Sequence, residues 1–559
     1  MKHKWLGKAL ACVLAGTMLC SLFAGCGGKT RENKDWEELG YQWEDTEAPI
    51  VKEKGVIEFE VLAQKNSMTP NYNDLQVFND LEDETYVDIN WENITESAYA
   101  ERKTLILSDR ENWPDAIYHA GFTSAEISRY SRRNTILPIS DYLEYMPNFS
   151  AILERRPDIR AAITSYDGKI WSLPRIDEMG LTGNPNLLFM NKNWLLELIR
   201  DGSVDFIDEE DVVDGLQLDL NQMTQVLELF RDRDMNGNGE DDEIPMSFVF
   251  NNWQGNQTDL YGAFGLPDNP DHMTIVDGDV VLTAVDDKFQ EATNFLADWI
   301  TDGIVPLSVL ENSQDAFLAS GKGQEKLGAF YWWESATVVS NPDNYIVMSP
   351  LKGLNGEEPT LGLSNYPEIS TGGVVIMASC PNPEVLCTYF DRHYDPLWSA
   401  QLNYGPIGVA YEEEPDENGK LVQKDPPEGM TADEFRLQLA PMGIMCLTQY
   451  EWDNFVNMEP RAQLRLDRLE KYANPYNPEN VDRIPTLSFT LEEINILAQY
   501  EVNVDNYLMQ NYMQWLINGG VSDSAFAEFK SKLDEIGLQE VLDCYQAAYD
   551  RYLANQGQE

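Results

Sequence analysis

From Val56 onward the chain alternates short apolar runs with helix-patterned stretches, and that alternation restricts the folds open to it more than any other feature. Ile57, Phe59 and Val61 alternate with Glu58 and Glu60, the period-two pattern of a strand with one wet face. A polar loop, Gln64-Lys65-Asn66-Ser67, precedes a helix expected around Leu75 to Leu81. Val87 to Trp91 reads as a second strand, Glu96 to Leu107 as a helix and Asp115 to Tyr118 as a third strand. The style recurs later. Asn186 to Trp194 runs from a strand into a helix, Gln222 to Phe230 is helical, and Met246 to Phe250 and Lys326 to Tyr331 are strands. Gly373 to Met377 is almost continuously apolar, which places it at the middle of a sheet. Breaks rich in Pro and Gly fall near 264–271, 353–367 and 411–430, the last an exposed excursion, and the C-terminal portion is strongly helical. Strands alternating with helices predict an α/β architecture with a mainly parallel sheet.

The N-terminal stretch has a different logic. Lys2, Lys4 and Lys8 surround the start of an apolar run from about Ala9 to Ala24. The run is shorter than the ~20 apolar residues of a spanning helix, so it reads as a cleaved export signal. It ends Leu22-Phe23-Ala24-Gly25-Cys26, which resembles a bacterial lipobox with Phe23 in place of the usual Leu. That resemblance implies cleavage after residue 25 and diacylglycerol on Cys26. Residues 26–55, rich in Gly, Lys and Glu, then form a flexible lipid-anchored tether. Beyond Cys26 only Cys380, Cys387, Cys446 and Cys544 remain, too sparse for a disulfide framework and better read as buried small apolar residues.

Charge excludes several partners. Ninety-five acids against 40 bases give the whole chain −55, and losing the three signal lysines takes the mature protein to −58. Such a field repels nucleic acid and anionic membranes and argues against a polyanionic ligand. Hydrophobic content of 43% supplies proper cores.

One stretch carries chemistry: Asp232-Arg233-Asp234-Met235-Asn236-Gly237-Asn238-Gly239-Glu240-Asp241-Asp242-Glu243-Ile244-Pro245. Calcium takes roughly six to eight oxygen ligands, and flexible loops supply them from alternate residues. Two registers are open. A helix-loop-helix calcium hand would run from Asp232 to Glu243 with its glycine at Gly237. The other starts at Asp234 and uses Asn236, Asn238, Glu240, Asp242 and Glu243. The second is preferred, because Ile244-Pro245 leads into a strand where a hand needs a helix. No His or Cys accompanies these oxygens, so zinc and copper are excluded, and no redox cofactor is expected. The expected role of Ca2+ is structural.

With these pieces in order, the chain resembles the family 1 extracellular solute-binding lipoproteins of ABC importers. More narrowly it is similar to the long, calcium-loop branch that includes alginate-oligosaccharide-binding proteins. Trp113-Pro114-Asp115-Ala116-Ile117-Tyr118 resembles the family's third strand entry, and Asp167-Gly168-Lys169-Ile170-Trp171-Ser172-Leu173-Pro174 its segment before the lobe crossover. Asn403-Tyr404-Gly405-Pro406-Ile407-Gly408 is similar to a family turn, with Pro406 a departure, and Gly537 to Tyr552 resembles its closing helices. The resemblance implies a two-lobe periplasmic-binding-protein-like fold of type II, with hinge, interlobe cleft and extra C-terminal helices. Lobe 1 would combine 56–178 with 370–450, and lobe 2 would combine 179–369 with 451–559. It also implies a monomer on the outer face of the cell membrane that captures a carbohydrate and delivers it to permease subunits.

Sugars present apolar C–H faces and many hydroxyls, which aromatic rings and polar side chains complement. The best-placed candidates lie in loops just after predicted strands. These are Trp253, then Tyr331, Trp332 and Trp333, and Gln64, Lys65 and Asn66. Trp171 and Arg175 adjoin the crossover, Arg175 able to fork to hydroxyls or a carboxylate, and Asn365 and Tyr366 lie near the return crossing. His119 and His272 read as structural. No catalytic residue is assigned. Carboxylate pairs arise by chance among so many acids, and no Gly-x-Ser-x-Gly elbow, phosphate loop or metal-hydrolase helix is present. A peptide receptor or sensor of the same fold is the first alternative, a secreted glycoside hydrolase the second.

Overall fold

The structure is a computed structural model that describes residues 33–178 and 184–557. The signal and lipobox lie outside the described residues. Among those described, the strands form three sheets. The first has six strands: β1 (Glu58–Lys65), β2 (Asp88–Thr95), β3 (Ala116–Tyr118), β4 (Leu173–Asp177), β11 (Ile369–Ile376) and β12 (Met445–Leu447), in the order β12-β4-β11-β3-β1-β2. The second orders β10 (Tyr345–Met348), β5 (Leu187–Asn191), β9 (Leu327–Trp332) and β6 (Ile244–Ser247). A third, smaller sheet joins β13 (Val481–Arg483), β7 (Met273–Val276) and β8 (Asp279–Leu282).

The local reasons match the sequence. β1 alternates buried Phe59 and Val61 with exposed Glu58 and Glu60, and it pairs in parallel with β2 and β3. The helix between β1 and β2, Gln76–Thr85, buries Val77, Phe78 and Leu81 at helical spacing. Strand β11 takes the central place its apolar run predicts, between β3 and β4. The expected mainly parallel arrangement holds in the first sheet, where five of the six strands run one way and only β11 is antiparallel to its neighbours; the second sheet is mixed, with β5 antiparallel to both β9 and β10 and β6 parallel to β9. The physical reason is topological. β11 enters its sheet by returning from the other lobe, not through a local right-handed crossover, so nothing obliges it to run parallel.

Each lobe has its own core. Phe59, Phe78, Trp91, Tyr118, Phe149, Tyr389 and Phe390 belong to the cluster of the first. In the second, Trp194, Phe230, Phe289 and Trp299 pack with residues of the C-terminal helices Leu491–Asn518, Asp523–Glu535 and Leu538–Gln556. Cys380, Cys387, Cys446 and Cys544 are free and buried.

The expected flexible tether is corrected over the part described. Residues 33–55 pack on the first lobe: Leu39, Ile50 and Val51 are fully buried in its core cluster. Trp36 Nε1 donates to Glu384 at 2.6 Å, and the rings of Trp36, Tyr41, Trp43 and Tyr145 form one aromatic cluster. The apolar residues in this stretch are few and lack periodicity. Only the lobe surface gives them a burial partner, so local pattern does not reveal it.

Candidate ligand-binding cleft

A cavity of about 540 Å³ lies between the two lobes. Its first-lobe wall comes from the ends of strands and the turns after them. Gln64 and Lys65 end β1, Asn66 follows, His119 follows β3, and Arg175 stands on β4. The floor is Ser370 to Gly373 of β11. Gly372 sits at φ 71°, and a Cβ there would come within 2.4 Å of the Phe122 carbonyl oxygen, so only glycine lets the strand pass this close. The opposite wall is aromatic. Trp253 follows β6, Trp333 follows β9, and Tyr366 comes from the segment returning to the first lobe. Trp253 packs on Tyr366 with ring centroids 4.9 Å apart and meets Trp333 nearly edge-on at 6.2 Å.

The polar wall is held before any solute arrives. Lys65 Nζ donates to the Thr69 carbonyl at 2.6 Å and to that of Asn66 at 3.2 Å. Two guanidinium groups converge on Asn403. Arg436 donates Nε to its carbonyl at 2.7 Å and Nη2 to its Oδ1, and Arg175 Nη2 reaches the same Oδ1 at 3.5 Å. Arg436 also lies 4.5 Å over the Tyr404 ring. Burial opposes the charge on Arg175, but Asp177 and Tyr366 outweigh it and hold its pKa above the ordinary value. Arg175 Nε and Asn403 Nδ2 are buried without a hydrogen-bond partner. Burial pushes His119 down to about pKa 4, so its ring is neutral at ordinary pH. Its Nε2 stands 2.8 Å from the Pro441 carbonyl, which can only accept, so Nε2 carries the proton.

Among the described residues that line it, Glu96 is the one acid. The chemistry on offer is therefore flat apolar surface facing fixed hydrogen-bond donors, without two carboxylates flanking the space.

Of the residues named from sequence, Gln64, Lys65, Asn66, Arg175, Trp253, Trp333 and Tyr366 line this cavity. The others do not. Tyr331 and Trp332 lie within β9 at 6% and 1% exposure, on opposite faces of the strand and in different core clusters. The strand alternation that buries them leaves the next ring, Trp333, to reach the cleft. Trp171 Nε1 donates to Asp167 at 3.0 Å, outside the cavity. Asn365 donates to Asp271 at 3.0 Å, outside the cavity. Sequence reasoning missed Arg436 and the turn from Pro441 to Gly443. Both follow an exposed excursion, and no local pattern connects them to the strands they face.

The acidic loop follows the helix Leu220–Asp232 and enters β6 directly, as the second register requires. Gly237 and Gly239 take φ 71° and 80°. Asp234 accepts from the backbone N–H of Asn238 (3.0 Å) and Gly239 (2.8 Å), and Asn238 Oδ1 from that of Glu240 (2.6 Å). Asp242 Oδ1 accepts from the amides of Asn236 and Asn238, while Glu243 accepts from the Asn236 N–H at 3.1 Å. Lys326 pairs with Asp242 at 2.6 Å. Among the described residues no group of three or more His, Cys, Asp or Glu side chains has the arrangement of a metal site. The loop's donors are instead mixed amide and carboxylate oxygens, all hard, on alternate residues, and that set suits calcium.

Known proteins share this architecture. No protein-family model matches the chain. FusA, the fructooligosaccharide ABC transporter substrate-binding protein of Streptococcus pneumoniae serotype 4, is 29% identical over 569 residues, 99% of this chain and 100% of its own. The solved S. pneumoniae FusA in complex with kestose has a TM-score of 0.77 at 27% identity, over 89% of this chain and 100% of that one. An EF-hand mutant of that protein, in complex with fructo-nystose, matches with the same values. The alginate-binding protein AlgQ2, solved without calcium ion, shares the fold at a TM-score of 0.63 and 18% identity, over 89% of this chain and 99% of its own.

Proposed function

We propose that this chain, an ABC-transporter substrate-binding protein in fold and in full-length sequence likeness, captures an oligosaccharide between its lobes and hands it to a membrane permease. The observation that carries this reading is the cleft itself. Trp253, Trp333 and Tyr366 offer apolar faces opposite donors from Arg175 and Arg436, which is the complement of a sugar and not of a wholly apolar solute. A neutral fructooligosaccharide of kestose size is the first candidate, since a relative alike over its whole length binds that class. Lobe 1 (56–178 and 370–450, with the docked 33–55) and lobe 2 (179–369 and 451–559) close on it. Cys26 carries the lipid that keeps the protein on the outer membrane face. The loop at Asp234, Asn236, Asn238, Glu240, Asp242 and Glu243 binds Ca2+, which supplies a structural clamp between the helix Leu220–Asp232 and β6. The lining, with Glu96 its lone acid among the described residues, supports a carrier over a hydrolase.

Titration calorimetry with kestose, nystose, alginate oligosaccharides and short peptides tests the reading. Binding of a neutral oligosaccharide that is lost in Trp253→Ala supports it. Binding of peptides alone, or release of monosaccharide from a bound chain, overturns it.

A further inference from the structure

The aromatic wall is not self-supporting. Trp333 stands one residue beyond β9, where strand pairing no longer fixes the backbone, and its indole Nε1 has no hydrogen-bond partner. A ring that is to meet a sugar face needs its orientation set by something else. The helix Pro460–Tyr472 supplies it. Arg461 and Arg465, one turn apart on that helix, hold two consecutive residues of the other chain segment. The Arg465 guanidinium lies 4.8 Å from the centroid of the Trp333 ring, and Arg461 Nη1 pairs with the Glu334 carboxylate at 3.3 Å. Leu466, the residue after Arg465, packs against the same apolar cluster as Trp333.

Arg465 does not line the cleft, and it is only 8% exposed. Its Nε is buried with no hydrogen-bond partner, and the guanidinium lies against the Trp333 ring with the Glu334 carboxylate acting on its charge. A buried guanidinium against an aromatic ring gains from the ring quadrupole, and its planar head matches the flat indole as an ammonium cannot.

We infer that Arg465 is a positioning residue for carbohydrate binding: by lying against the Trp333 ring it fixes that indole in the orientation a sugar ring stacks upon. The inference rests on the reading of the cleft as an oligosaccharide site. An indole released from this contact must be immobilised by the ligand, which costs affinity without removing any ligand contact. The expected loss is about three- to tenfold.

The test uses the whole mature protein and kestose as probe. R465M keeps an unbranched apolar stem out to the Nε position while removing the planar cation, and R465K keeps the charge without the plane. Two quantities are read: the Kd for kestose by calorimetry, and the near-ultraviolet dichroism band that disappears in W333F. R465M should weaken kestose binding about three- to tenfold and diminish that band in the ligand-free protein, with R465K between it and the parent. In a W333A background R465M should cost no further affinity, because a positioning residue acts only through what it positions. Equal losses in both backgrounds, or an unchanged band and Kd in R465M, overturn the proposal. If the band falls in R465M while kestose and nystose bind neither parent nor variant, Arg465 still orders the ring and it is the sugar reading that fails.

Discussion

Gly443 offers the sharpest single perturbation. It lies on the cleft wall two residues past Pro441, and its backbone is not in the left-handed region, so alanine is allowed there on conformational grounds. What forbids a side chain is space. A Cβ at 443 would stand 1.9 Å from the Tyr118 hydroxyl oxygen and 2.2 and 2.4 Å from two ring carbons. Relief to ordinary contact near 3.4 Å needs a displacement of roughly 1–1.5 Å, and Tyr118 has nowhere to go. Its ring is completely buried and touches those of Tyr72, Phe78, Trp91, His119, Phe390 and His393. The turn from Pro441 to Gly443 must therefore move instead, loosening the 2.8 Å contact between His119 and the Pro441 carbonyl. Overpacking of this kind costs about 1–3 kcal/mol. For a lobe of this size that is a fall in melting temperature of roughly 2–10 °C. Gly443→Ala is thus expected to lower the urea midpoint and, because the wall that moves belongs to the cleft, to weaken binding of the proposed oligosaccharide ligand as well. A variant with both values unchanged would refute the steric argument. One that loses stability but keeps full affinity would refute the placement of this turn in the ligand wall.

Other expectations follow from single contacts. EDTA should lower the melting temperature by roughly 5–10 °C where calcium stood about a hundredfold above its Kd, and Asp242→Ala should abolish that response; a parent indifferent to EDTA contradicts the calcium loop. Ile50→Ala should cost about 2–4 kcal/mol in urea unfolding, since Ile50 is fully buried on the first lobe, whereas a loose tether would show no change. His393 is buried against the rings of Phe78, Tyr118, Tyr389 and Phe390, and burial pushes its pKa from 6.5 down to about 3. The unfolded chain takes a proton there that the folded chain refuses, so this contribution is whole above pH 6.5 and is lost as pH falls toward 3. The loss is about 2 kcal/mol by pH 5. H393F should flatten the urea midpoint against pH between 6.5 and 4, and an unchanged slope rules the assignment out.

Local order was readable along the chain because it is written in short periods. The alternation of Glu58 to Val61 and the apolar run at Gly373 to Met377 led directly to β1 and to the centre of its sheet. The glycines and oxygens of Asp234 to Glu243 largely specify their loop by themselves, since among the described residues their hydrogen-bond and ion-pair partners from outside it are Lys326 and Gln324. The same reasoning failed at Tyr331 and Trp332, where three aromatic residues in a row looked equivalent. Only the place where β9 ends distinguishes the ring that reaches the cleft.

Everything that depends on distant chain meeting distant chain belonged to the tertiary structure. Arg175 and Asn403 are 228 residues apart, and Arg436 completes their cluster from a helix with no recognisable tie to either. The burial of residues 33–55 and the cation set against Trp333 are of the same kind. Periodicity reports which face of an element seeks burial. It carries no information about which surface, hundreds of residues away, will provide it.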